Sequence, residues 1–206
     1  MGVHETAVRR GRKFDQVLEG ARDVFLAEGF EGASVDEIAR RAGVSKATLY
    51  SYFPDKRLLF FEVAKRECMR VAEDATQLMA EERPVRDMLS IAAQKIVDFF
   101  NTDLSLNVFR VCAAESERFP ELAREFYESG PGQARAQLMA FLDCASQKGE
   151  LVVEDIEMAA DQFAELCKAR ILMDRIFGIR GAFTDNELKM IADEAVTTFM
   201  ARYGKR

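Results

Sequence analysis

Residues 34–56 read SVDEIARRAGVSKATLYSYFPDK, and this stretch leaves the chain few ways to fold. Ser34 followed by Glu37 spells a capping box, in which the hydroxyl takes an amide of a new first turn and the carboxylate returns the bond. Asp36 and Glu37 also suit the positive end of that helix. Gly43 stops it after Ala42. Ser45 then caps a second short helix, which has to end before Pro54. One small core explains both segments: Ile38 and Ala39 on the first helix, Val44 in the turn, Leu49 and Phe53 on the second. Ala39 and Ala42 are small enough for two helices to cross closely. With Leu49 and Phe53 inward at i and i+4, the outer face shows Lys46, Ala47, Tyr50 and Ser51, flanked by Thr48 and Tyr52. This is the sequence form of a helix-turn-helix.

The rest of the chain also reads as helix, with no period-2 run, internal repeat or low-complexity segment. An opening helix over about 13–28 carries the stripe Phe14, Val17, Leu18, Ala21, Val24 and Phe25, and Gly29 stops it. Asp55 caps a long fourth helix to about Glu82, and Pro84 marks the break. Further helices are expected at roughly 85–101, 104–118, 120–129, 131–148, 155–178 and 185–203, with Pro84, Pro120 and Pro131 where a first turn tolerates proline. Gly130-Pro131 either kinks one helix or separates two. Thr184 and Glu187 form a second capping box. It opens a helix whose Leu188, Ile191, Ala192, Ala195, Val196, Phe199, Met200 and Tyr203 repeat with the helical period. The expected fold is all-α: an N-terminal three-helix helix-turn-helix domain over residues 1–57 and a C-terminal helical domain over residues 58–206.

The net charge of −6 argues at first sight against nucleic acid, but its distribution matters more than its sum. Residues 1–57 carry ten Lys/Arg against nine Asp/Glu, and the remainder carries 19 against 26. Arg9, Arg10, Arg12 and Lys13 cluster at the start, and Lys46, Lys56 and Arg57 form a second group. Screening over about 8 Å at physiological salt lets a local basic face meet phosphates despite a distant acidic body. No run approaches the roughly 18 apolar residues of a membrane span, and the polar, basic start is not a secretory signal. The four cysteines, Cys68, Cys112, Cys144 and Cys167, are scattered without a CxxC pair, which suits a reducing cytoplasm. Cys112, Cys144 and Cys167 lie in apolar stretches, where inert packing is expected.

The outer face of the second short helix offers hydroxyls, phenols and a cation to base edges and phosphates, and Ala47 to a thymine methyl. Ser45 and Lys56 open helices, so their amides also suit phosphates. In these residues the chain resembles the DNA-binding domain of the tetracycline-repressor (TetR) family. The resemblance rests on Gly29-Phe30 at the end of the opening helix, on SVDEIARRAGVSKATLYSYF from Ser34 to Phe53, and on Pro54-Asp55-Lys56. The run ESERFPELAREFYESGP from Glu115 to Pro131 resembles C-terminal domains of AefR- and AcrR-like members. The resemblance implies a two-fold dimer built on the last two long helices, a ligand cavity among the middle helices, and a fourth helix that couples cavity to DNA-reading domain. The expected partners are therefore an operator in double-stranded DNA, a second copy of the chain and a small-molecule effector, with no membrane and no cofactor.

The DNA-facing candidates are Arg12, Ser34, Val35, Ser45, Lys46, Ala47, Thr48, Tyr50, Ser51, Tyr52 and Lys56. Many Phe and Met with few buried polar groups suit an adaptable apolar cavity. Its candidates are Phe99, Asn107, Phe109, Arg110, Cys112, Phe126, Phe163, Cys167, Arg170 and Met173. Arg170 lies on an otherwise apolar face and calls for an acidic partner such as Glu115 or Asp174. Phe177, Ile191, Ala195 and Phe199 are assigned to dimerisation, although such a stripe is also what an intramolecular core requires. An enzyme finds little support. His4 is the only histidine, no P-loop or GxGxxG is present, no metal cluster is available, and Glu115 and Glu117 point to different faces of one helix. A helical adaptor with an unused helix-turn-helix is the other alternative, and the polar outer face argues for DNA.

Overall fold

A computed structural model describes residues 11–79 and 83–205. Arg9 and Arg10 of the expected basic patch, and the end of the fourth helix near Glu82, lie outside them. The described residues form eleven helices and no strand: α1 (Arg12–Gly32), α2 (Val35–Ala42), α3 (Lys46–Tyr52), α4 (Lys56–Met79), α5 (Val85–Asn101), α6 (Asp103–Glu115), α7 (Pro120–Ser129), α8 (Pro131–Gln147), α9 (Ile156–Cys167), α10 (Ile171–Ile176) and α11 (Asp185–Tyr203). They divide into two compact units, residues 1–66 and 67–206. The division falls inside α4 rather than at the expected 57/58. The reason is packing: Leu59, Phe60, Phe61, Val63 and Ala64, in the first turns of α4, are buried in the first unit.

In the first unit the expected stripe of α1 is buried throughout, together with Ile38, Ala39 and Ala42 of α2, Leu49 of α3, and Phe53. Phe25, Phe30 and Phe60 cluster at centroid separations of 4.9–6.1 Å, and Phe14 stacks on Phe53 at 5.3 Å. The α1–α2 crossing is close enough that a Cβ on Gly20 would lie 2.7 Å from the Ala42 nitrogen and 2.8 Å from its Cβ. Gly29 interrupts α1 as expected, at φ 71°, yet a further turn carries the helix to Gly32. Gly43 takes the left-handed conformation (φ 64°, ψ 33°), and the Val44 amide reaches back to the Ala39 carbonyl at 3.0 Å, closing α2 with a Schellman-type bond.

The second unit is organised around α11, which packs on α5 and α9. Leu89, Ala93 and Val97 of α5, Leu142 of α8, Phe163 and Cys167 of α9 and Ile171 of α10 meet the α11 stripe in one core. That placement bears on three of the four residues assigned to dimerisation, while the fourth, Phe177, is exposed. Ile191, Ala195 and Phe199 are 7, 3 and 1% exposed and belong to the core of their own protomer. Phe199 packs edge-on to Phe163 at 5.2 Å, so these side chains have no surface left for a second copy. Gly130 (φ −124°, ψ −91°) separates α7 from α8, which makes 120–129 and 131–147 two helices.

The expected helix over 155–178 is likewise two, because α9 ends at Cys167 and Arg170 (φ 66°) precedes α10. The break turns Arg170 into solvent and brings Arg175 inside instead. Arg175 donates through Nη2 to the Asn101 carbonyl (3.0 Å) and to Asp103 Oδ1 (2.7 Å). Asn101 in turn pairs with the backbone of Phe183 in both directions, at 2.8 and 3.1 Å. At the start of α11 the Thr184–Glu187 capping box is complete, and Arg180 adds a bond to Glu187 at 2.8 Å. Hydrogen bonds from the Thr184 amide, from Arg180 and from the Thr184 hydroxyl lower the Glu187 pKa from 4.5 to about 2.

Two tests follow from this packing. Gly20→Val forces a branched side chain into the backbone of α2 and is expected to destabilise the first unit by about 1–3 kcal/mol, read by denaturant titration. Because the Glu187 pKa is depressed on folding, its contribution is complete above about pH 4.5 and is lost as pH falls through about 2. The melting temperatures of wild type and Glu187→Gln are therefore expected to differ at pH 6 and to converge as pH approaches 2. A gap that stays constant with pH would sink the assignment.

Candidate nucleic-acid interface

The reading surface starts from two caps. Ser34 Oγ accepts the Glu37 amide at 3.1 Å, and Ser45 Oγ accepts the Thr48 amide at the same distance. Both hydroxyls are therefore committed to holding helix ends. The reciprocal half of the first capping box is replaced. Glu37 turns forward to Arg40, whose Nε donates to Oε2 at 2.8 Å, and this bond holds the Glu37 carboxyl below its ordinary range. Asp55 caps α4 as expected, accepting the Arg57 amide at 2.8 Å.

With Leu49 buried, α3 presents the face that the spacing predicts. Lys46, Ala47, Tyr50 and Ser51 are exposed, Thr48 is half-buried, and Tyr50 in particular is 48% accessible. A phenol exposed to that extent on a surface helix is available to a groove. Tyr52 is half-buried and packs edge-on against Phe14 at 5.6 Å, so its ring braces α3 on α1. Arg12 and Ser34 are exposed at helix starts, and Val35 is half-buried beside Ser34.

Lys56 differs from expectation. Its ammonium turns inward, donates to the carbonyls of Phe30 (2.8 Å) and Ala33 (3.1 Å), and sits 4.5 Å from the centre of the Phe30 ring. The carbonyls satisfied this way lie where α1 ends, so this cation is structural and only its backbone amide is left for a phosphate.

Sequence reasoning missed that the cations of α2 and α3 are held by carboxylates. All three cations of α2 and α3 are so engaged: Arg40 with Glu37, Arg41 with Asp23 (3.3 Å), and Lys46 with Asp36. Arg57 pairs with Asp55 at 2.8 Å. Asp36 lies on the other side of the Gly43 turn from Lys46, so helical spacing alone gave no sign of the pair.

The effector candidates divide between interior and surface. Phe163 and Cys167 are fully buried in the core around α11, and Cys112 is buried on α6. Phe99, Asn107 and Phe126 are half-buried, on α5, α6 and α7. Phe109 and Met173 are 45 and 59% exposed, and Arg170 is exposed, so none of the three lines an interior cavity in this conformation. Arg110 is structural, because its Nη2 donates to the carbonyls of Arg175 (2.7 Å) and Ile176 (2.6 Å) and so closes the end of α10. Burial raises the thiol pKa of Cys68 to about 11 and those of Cys112 and Cys167 to about 12, which keeps them protonated and unreactive at neutral pH. Cys144 departs from expectation, because it is exposed on α8. Among the described residues no group of three or more His, Cys, Asp or Glu is placed to hold a metal ion, and no helix is long and apolar enough to cross a membrane.

Comparison with known proteins agrees with this geometry in both units. Residues 17–63 match the family described as bacterial regulatory proteins, tetR family, and residues 87–205 match the C-terminal domain of AefR-like transcriptional repressors. A TetR-family transcriptional regulator from Mesorhizobium loti superposes with a TM-score of 0.81 at 28% identity, over 96% of this chain and 100% of that one. The flavonoid-responsive regulator FrrA is 34% identical with a TM-score of 0.67, over 95% of this chain and 99% of its own. The HTH-type transcriptional activator FasR of Mycolicibacterium smegmatis is 34% identical over 94 residues, which span 46% of this chain and only 43% of FasR. Helix-turn-helix geometry, an exposed polar reading face and a matching C-terminal domain converge on one conclusion: the chain belongs to the TetR family of DNA-binding transcriptional regulators, which are not enzymes, and carries an AefR-like C-terminal domain.

Proposed function

We propose that this protein is a ligand-responsive repressor that acts in the cytoplasm, binds a near-palindromic operator as a homodimer, and releases it when a small, largely apolar effector occupies the second unit. The observation that carries the reading is the outer face of α3, where Lys46, Ala47, Tyr50 and Ser51 stand exposed while Leu49 anchors the helix from behind. A two-fold dimer presents two such helices to successive major grooves about 34 Å apart, which is why the operator is expected to be near-palindromic. The apolar surface left for a second copy is not the α11 stripe but residues such as Phe177, Ile179 and Met190, which are 68, 74 and 49% exposed.

For the effector, Phe99, Asn107, Cys112 and Phe126 on α5, α6 and α7, with Phe163 and Cys167 on α9, remain the candidates. The resemblance to FrrA, flavonoid-responsive by its name and similar over nearly its whole length, supports a flat aromatic compound with a few polar groups. Coupling between effector and operator is reciprocal: whatever factor the effector takes from DNA affinity, operator DNA takes from effector affinity.

The test is a salt-titrated gel shift on the DNA flanking the protein's own gene. Wild type is expected to bind selectively, with affinity falling steeply as salt rises. Lys46→Ala and Tyr50→Ala are each expected to lower operator affinity by about tenfold or more, with the dimer intact by sedimentation. Wild-type affinity in both variants would overturn the reading of α3 as the recognition helix.

A further inference from the structure

The cations of α2 and α3 do not stand free. Lys46 is the first residue of α3, where the positive end of the helix disfavours a cation, and Asp36, in the first turn of α2, holds its ammonium. Both partners are largely exposed, with side-chain accessibilities of 57 and 66%, so the pair is not a piece of buried architecture. Exposed pairs of this kind contribute little to stability, and a fold does not need one here. The same arrangement recurs on the neighbouring cations, Arg40 with Glu37 and Arg41 with Asp23.

An ammonium has three N–H donors. A carboxylate beside it restricts where the nitrogen sits and offsets its charge toward distant phosphates. Its N–H donors stay available for acceptors presented at one place, such as guanine O6 and N7 in a major groove. Binding to DNA of random sequence is almost wholly phosphate neutralisation. A cation whose charge is already matched adds little to it. At a matching sequence the same cation arrives oriented, so little side-chain entropy is lost when it docks.

Resting on the DNA-binding reading above, we propose that Asp36 is a specificity-determining residue. It positions the Lys46 ammonium for base edges and withholds its charge from non-specific phosphate contact, and so widens the gap between operator and random DNA. Asp36 acts through Lys46 and is a positioning residue, not a contact in its own right.

The experiment compares wild type, Asp36→Asn, Lys46→Ala and the double variant on operator and on random duplex of equal length, each over a salt series. Asp36→Asn is expected to tighten binding to random DNA by about three- to tenfold and to steepen its log K against log salt slope by about one. Its operator affinity is expected not to rise, so the specificity ratio falls. In the Lys46→Ala background the Asp36→Asn change is expected to have no effect on either duplex. Asp36→Ser, which keeps a polar residue in the first turn of α2, is read alongside, and circular dichroism checks that each variant keeps its helices.

Unchanged random-DNA affinity and slope in Asp36→Asn, with wild-type operator selectivity intact, would overturn this proposal alone. An equal rise on both duplexes, or a rise that persists without Lys46, would reduce Asp36 to a general repulsive charge and likewise overturn it. Wild type that selects no sequence from random DNA would remove the regulator reading and this proposal together.

Discussion

A helix of seven residues has no stability of its own in water, since isolated helices are marginal below about 12–15 residues. Helix α3, the proposed recognition helix, is that short, and everything around it follows from the need to hold it. One buried leucine and the phenylalanine just beyond its end fix its inner side, Ser45 ties its first turn, and Tyr52 braces it on Phe14. Those supports need α1 and α2 to lie close, which Gly20 permits by offering no side chain at Ala42. Lys56 then closes the frame from the α4 side by satisfying two carbonyls where α1 ends. The outer face is what remains once Leu49 of α3 and Phe53 beyond its end have been used for anchorage.

An acidic protein that binds a polyanion has to localise its attraction. The ion pairs on α2 and α3 bear on this, because surface pairs are individually weak and therefore exchangeable. A carboxylate that is weakly held to its cation leaves it free to reach a base edge without a large barrier. The fold thus separates two roles that a sequence count merges. Lys56 and Arg110 spend their charge on backbone carbonyls, while Lys46, Arg40 and Arg41 keep theirs at the surface in matched pairs.

Which parts were readable from sequence follows from the range of the interactions involved. Caps, glycine turns and proline breaks act within four or five residues, so α2, α3 and the start of α11 emerged with Ser34, Gly43, Ser45 and Thr184 in their roles. Glu37 shows the limit of even that rule, because Arg40 three residues on competes for the same carboxylate. The break between α9 and α10 was hidden, since residues 156–176 carry no proline or glycine and Arg170 adopts a positive φ that its residue type does not announce. That break exchanges the environments of Arg170 and Arg175. The long-range ties to Asn101 and Asp103, more than 70 residues away, have no local signature at all.

The dimer and effector assignments were less legible for a different reason. Helical periodicity says that one face of α11 is apolar, but a protomer core and a subunit interface demand the same pattern. Only the helices already surrounding that face decide between them, and α5 and α9 cover it here. A cavity is harder still, since the same Phe and Met that line one also fill a core. Phe163 and Phe109 are both phenylalanines in helical register, yet one is fully enclosed and the other nearly half exposed. Residue type sets what a site prefers to bind; the packing of the neighbouring helices sets whether a site exists. For this chain, therefore, the helix-turn-helix is a property of a short segment, whereas a cavity is set by how the whole second unit packs rather than by any motif within it.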